Sequence, residues 1–240
     1  MTSPALLQPS PLPQRDRPKA SRRVGFVWIA LSSLAIVAIA IGTYTSGTMK
    51  ALAEQGDGLA PHYATLPAVF QYVLYAHIGF AAIALLTGPA QFATALRARF
   101  TRLHRGLGRI YLGSVLLAGA AGFVLSFVNE AGFVGFFGFG ALAVLWVFTA
   151  VKAYRSVRAR DFQSHQAWMI RNFALTYAAV MLRIWTGVLV AAHLTLGLDG
   201  AMAFANAYAA VPFLAWLPNI VVAEIMIARR GLPGLRWTQR

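Results

Sequence analysis

The sequence predicts an all-α integral membrane protein: an antiparallel bundle of six transmembrane helices with both termini in the cytoplasm. Three observations carry this reading. Hydrophobic residues make up 58% of the 240-residue chain and charged residues only 12%, about half the charged share of a soluble domain. The apolar residues fall in six blocks, each near the roughly 20 residues that carry a helix across a bilayer. The basic residues, which give a net charge of +14, collect in alternate connections.

The blocks run over Val24–Thr45, Leu66–Phe92, Gly106–Val128, Phe133–Tyr154, Trp168–Ala192 and Ala205–Ala228. Helices are required because lipid leaves backbone polar groups unsatisfied, and the short alternating segments of a β-barrel are missing. Pro212 and Pro218 interrupt the last block. This divides the chain into a disordered basic tail (1–23), a six-helix transmembrane domain (24–228) and a short cytoplasmic tail (229–240). The apolar run after the tail is too long for a signal-peptide core, so the first span reads as an uncleaved anchor.

Arg15, Arg17, Lys19, Arg22 and Arg23 crowd the N-terminal tail. Arg97, Arg99, Arg102, Arg105 and Arg109 crowd the second connection, and Lys152, Arg155, Arg158 and Arg160 the fourth. The other three connections hold Lys50 against Glu54, Asp57, Glu130 and Asp199. This is the positive-inside pattern, which places the protein in the bacterial inner membrane with its basic face meeting anionic headgroups. No recognition motif accompanies the charge, so nucleic acid is not expected as a partner.

In the first external loop, residues 50–55 are expected to form a short surface helix that "GDG" ends. "GFVGFFGFG" over residues 132–140 follows no strand, so its glycines serve close helix packing rather than phosphate binding. The chain has no cysteine, which excludes disulfides, thiolate metal sites, iron–sulfur clusters and covalent haem attachment.

The candidate chemistry lies in the histidines and one arginine. His104 and His165 open the third and fifth spans at the cytoplasmic level, His77 lies inside the second span, and His193 closes the fifth; His62 sits in the external loop. Along the fifth span His165, Asn172, Thr176 and Arg183 fall on one stripe at 100° per residue. Lipid contact would cost Arg183 roughly 2.5–3.5 kcal/mol, so the stripe should face inward. There Arg183 either ties to a carbonyl or an acid, or serves as counter-charge to a bound anion. On the third span His104, Gly108, Tyr111 and Gly122 share a face that admits a neighbouring helix or a flat cofactor; His77, Gly88 and Gln91 share a similar face on the second. Glu224, near the end of the last span, either snorkels or pairs with a basic residue of the second or fourth connection.

Histidines facing inward from different helices are a way of holding b-type haem without a sequence motif. His104 and His165 are the first candidate ligands of a haem iron, and His77 and His193 form a weaker pair. The residues carrying a cofactor would be these four with Arg183, Arg109, Tyr111, Trp168, Arg171 and Asn172.

"HIGFAAIALLTGPAQF", "LHRGLGRIYLG" and "RARDFQSHQAWMIRNFALTYAAVMLRIW" resemble a family of predicted bacterial multi-pass membrane proteins of unknown function (domain of unknown function 2306). The likeness covers about residues 75–185. Its more specific elements fall on His104, Arg105, Gly108 and Arg109, and on His165, Trp168, Met169 and Arg171. The resemblance implies no particular activity. A looser likeness is to cytochrome b561-type haem bundles, from which this chain departs in having no histidine on its fourth span.

The leading functional expectation is a membrane redox protein with haem b, exchanging electrons with quinone or a redox partner protein. The alternatives are a small-solute or ion transporter using Arg183 and the broken last span, and a non-catalytic assembly or sensor protein. A hydrolase finds no Ser/His/Asp set here.

Overall fold

The computed structural model describes residues 19–56 and 58–235, with side chains from Arg23 onward. Among these residues every element is a helix. The first span is α1 (Lys19–Thr45), followed by two short helices, α2 (Met49–Glu54) and α3 (Ala60–Ala64). The second span is α4 (Ala68–Gln91), and α5 (Thr94–Arg99) links it to the third, α6 (Thr101–Ser126). The fourth is α7 (Gly132–Arg158). The fifth is split into α8 (Phe162–Thr176) and α9 (Ala178–Thr195), and the sixth into α10 (Gly200–Leu214) and α11 (Leu217–Arg229). All six are long and apolar enough to cross a membrane.

The tail expected over 1–23 lies outside the described residues as far as residue 18, and from Lys19 the chain is already helical. Of the C-terminal tail, residues 236–240 also lie outside them. The expected surface helix is α2, capped by Thr48, and Gly56 and Gly58 end it with positive φ.

The bundle is built round four helices. α4 packs on α6, α6 on α7, α7 on α8, and α8 closes the ring against α4. α6 and α8 therefore stand on a diagonal. Their shared core holds Ala84, Tyr111, Val115, Trp146, Met169 and Phe173. α1 lies outside against α4 and α9, α10 against α9 and α7, and α11 against α8. Outward-facing Leu31, Phe133, Phe137 and Val221 remain exposed, which is the surface a bilayer requires.

Small residues set the close approaches. A Cβ on Gly88 would stand 2.5 Å from the Phe173 ring, and one on Gly138 would stand 2.5 Å from Pro212. Gly138 and Gly140 thus serve helix packing, against Pro212 and Ser126, while Gly132 takes a positive φ at the start of α7. The small faces of α4 and α6 are likewise filled by each other: Gln91 covers Gly108 and the His77 ring covers Gly122.

The breaks in the last two spans have separate causes. At Trp216 the chain leaves helical geometry ahead of Pro218, which takes the first turn of α11, where its missing N–H costs nothing. Trp216 Nε1 donates to the Pro212 carbonyl at 2.8 Å, and Asn219 Nδ2 donates to the carbonyls of Ala215 and Ala174 at 3.0 and 3.1 Å. The break at Tyr177 involves neither glycine nor proline. There the Tyr177 hydroxyl meets Ser32 Oγ of α1 at 2.8 Å. α7 ends in a Schellman turn: Asp161 N–H bonds to Ser156 O and Arg160 N–H to Val157 O. Arg160, at φ 59°, fills the left-handed position. Asp161 then caps α8 by accepting from Ser164 N–H at 3.0 Å, and its bonds with Ser164 hold this exposed carboxyl below the usual range.

Candidate functional site

A polar seam runs up the middle of the four-helix core. Tyr111 on α6 donates its hydroxyl to Asn172 Oδ1 on α8 at 2.6 Å, straight across the diagonal. Asn172 Nδ2 donates to the Trp146 carbonyl and to Thr149 Oγ1 of α7, both at 2.8 Å. Thr176 Oγ1 accepts from Trp146 Nε1 at 2.9 Å and lies 2.8 Å from the Tyr111 hydroxyl. Tyr111 and Asn172 are wholly inaccessible to solvent. Every side-chain polar atom of this seam has a partner, as burial demands, so the seam is a structural layer.

That layer fixes what lies beneath it. His104 is seven residues before Tyr111 and His165 seven before Asn172. Seven residues are two turns, about 10 Å, and bring a side chain back to within about 20° of the same face. α6 and α8 run in the same direction, so the two imidazoles sit at one depth and look toward the same diagonal. The charges nearest His104 are those of Arg97, His165 and Arg105.

The ring nitrogens differ in what they meet. His165 Nδ1 lies 2.9 Å from the Ala153 carbonyl of α7; a carbonyl only accepts, so Nδ1 carries a proton. His104 Nδ1 is buried with no hydrogen-bond partner, and so is Nε2 of Gln91, the amide that covers Gly108 one turn along from His104. These two buried groups, toward the basic end of the bundle, depart from the rule that buried polar atoms are paired.

His165 thus has its Nδ1 anchored to a carbonyl, while His104 on α6 has a buried Nδ1 without a partner. Open grooves lie on the outer faces of α1, at Val24, Val27 and Trp28, and of α4, at Ala76, Gly79 and Ile83; neither is lined by His104 or His165. Pro89 sits inside the last turns of α4 and removes a helical bond there.

The other expected residues are dispersed. Arg171, only 3% exposed, makes a bidentate pair with Glu224 of α11, with Nη2 to Oε2 at 2.8 Å, and lies 4.7 Å over the Trp168 ring. Lys152 covers the same ring at 5.5 Å. These three groups tie α7, α8 and α11 together. Arg109 is exposed on the outside of α6. His193 Nδ1 donates to Leu189 O of its own helix at 2.7 Å. His77 Nδ1 donates to Ala118 O of α6 at 2.8 Å. No contact among the described residues joins His77 to His193. Arg183 lies in the opposite half of the bundle from His165 and bonds to the Ala179 carbonyl of its own helix.

Sequence reasoning missed Trp146 and Thr149. Both sit in a run of apolar residues that differs little from any other span. Their spacing of three places them on one face of α7, a signal that becomes legible only once α8 is known to supply Asn172.

Six apolar spans around a buried polar seam define an integral, multi-pass membrane protein. The chain belongs to the DUF2306 family of predicted membrane proteins, which matches residues 74–227, from within the second span to near the end of the last. No curated protein and no solved structure matches it.

Proposed function

We propose that this protein is a redox-type protein of the bacterial inner membrane that holds b-type haem at the cytoplasmic end of its core, between His104 and His165. The observation that supports it is the pair of imidazoles set at one depth beneath the Tyr111–Asn172 bond, with one nitrogen anchored and the other ring's Nδ1 unpartnered. When bound, the haem supplies one-electron transfer, with quinone or a partner protein at the other end. The chain's own part is positional. Ala153 O holds the His165 ring, α6 presents His104 opposite, and Gln91 offers an amide donor beside it. The exposed Arg97, Arg99, Arg102 and Arg105 meet anionic headgroups and keep this end at the inner surface.

The test is the visible spectrum of the full chain, expressed with ample haem and purified in mild detergent. A Soret band that sharpens on reduction and is lost in both His104→Ala and His165→Ala is expected. A colourless preparation that also fails to take up added haemin would overturn the reading, as would a spectrum unchanged in both variants.

A further inference from the structure

Two cations meet one ring on the α7–α8 side of the bundle. Arg171 Cζ lies 4.7 Å from the centroid of the Trp168 ring, and Lys152 Nζ lies 5.5 Å from it. Lys152 Nζ also stands 5.8 Å from the centroid of Phe148, and the Phe148 and Trp168 rings meet edge to face with centroids 5.7 Å apart. The charges around this pair of rings do not balance. Glu224 holds Arg171 with both of its oxygens. Asp161, in the connection between the two helices, accepts from Ser164 N–H. Lys152 makes no ion pair among the described residues. One positive charge is therefore left over beside the indole.

Its depth and its neighbours say what can answer it. Lys152 is six residues before Arg158, the end of α7, which is about 9 Å along the axis. At this distance from the end of a span a lysine lays its methylenes on apolar surface and turns its ammonium toward the headgroups, and tryptophan favours the same level. Arg155, exposed and three residues on, is its neighbour on the helix surface toward the end of the span. In the other direction, Val144, Phe148 and Val151 are 53%, 47% and 39% exposed. Their spacings of four and three place them on one face of α7. An apolar track thus runs along the span and ends at two cations.

We infer that this outer face of α7, with Trp168 of α8, binds one anionic phospholipid, its phosphate at Lys152 and Arg155 and an acyl chain along Phe148 and Val144. The rings take one side of the ammonium, and its N–H groups on the other side donate to a phosphate oxygen; hydrogen bonds between ionised partners are the strong ones. A phospholipid is the occupant because the surface calls for both of its parts. A soluble anion would answer the charge and leave the apolar track bare. This is a single fixed site, unlike the diffuse attraction of the basic connections for the headgroup layer. It lies on the outside of the bundle and stands whether or not haem binds within.

The full chain is purified in mild detergent and titrated with phosphatidylglycerol or phosphatidylcholine, and retained lipid is counted by native mass spectrometry. Wild type should hold one phosphatidylglycerol in preference to phosphatidylcholine. Lys152→Gln should lower that retention about fivefold, the worth of one basic residue near an anionic surface, and Lys152→Arg should keep most of it. Arg155→Gln, at an exposed position, should weaken retention in the same direction and decides the matter if Lys152→Gln does not fold. Arg102→Gln removes an exposed charge from α6 and should change retention by less than about twofold, because that charge acts only through the general field of the surface. Equal retention of the two lipids by wild type overturns the proposal. So does a loss in Arg102→Gln as large as in Lys152→Gln, or retention undiminished in both Lys152→Gln and Arg155→Gln.

Discussion

Tyr111 spans the diagonal of the core with a single hydroxyl, and its value follows from where that hydroxyl sits. Tyr111→Phe keeps the ring but leaves Asn172 Oδ1 without its donor. Hydrogen bonds between membrane helices are worth on the order of 1 kcal/mol, because the unfolded chain in lipid also finds partners. A loss of about 1 kcal/mol is therefore expected in reversible unfolding in detergent; no change would show that the seam rearranges around the gap. Asn172 and Tyr111 were both legible as inward-facing residues, since each is polar within an apolar run and shares a face with a histidine. The tie of Arg183 to a carbonyl, that of Ala179 one turn back, was one of the two readings open to it in the sequence.

At the scale of elements, the fourth connection is the most informative. Arg160 takes the left-handed residue of the turn that ends α7, a position where glycine is the common occupant. A non-glycine residue there costs about 1 kcal/mol, so Arg160→Gly should raise the unfolding midpoint; a lowered midpoint would mean that the arginine's charge, rather than its backbone, holds the turn. The six spans were legible because lipid makes a block of apolar residues nearly unambiguous. The division of the fifth was not. α8 gives way to α9 at Tyr177, but that residue keeps right-handed helical angles, and the bonds of Tyr177 N–H to Phe173 O and of Met181 N–H to Tyr177 O carry the helix across. No glycine or proline marks the place. His165, Asn172 and Thr176 stay with the central seam, while Arg183 lies roughly 27 Å along the axis from His165.

Across the whole molecule, the Arg171–Glu224 pair fastens the last half-span to the core. The sequence allowed Glu224 to pair with a basic residue from the connections; the partner is a nearly buried arginine within the fifth span itself. Glu224→Gln leaves that guanidinium without a counter-charge in a low-dielectric setting. Fully buried pairs lose roughly 3–5 kcal/mol when one partner is removed; Glu224 is 35% exposed, so a loss of about 2 kcal/mol is expected. Limited proteolysis should then cut more readily after Arg229 and Arg230. An unaltered digestion pattern would assign α11's attachment to Asn219 and its apolar contacts.

The segment matched by the family begins at residue 74, whereas Ser32, which meets the Tyr177 hydroxyl, lies ahead of it. The Tyr111–Asn172 bond and the Arg171–Glu224 pair lie wholly inside it, so the matched segment carries its own cross-ties and the first span leans on it from outside, as a buttress leans on a wall that already stands.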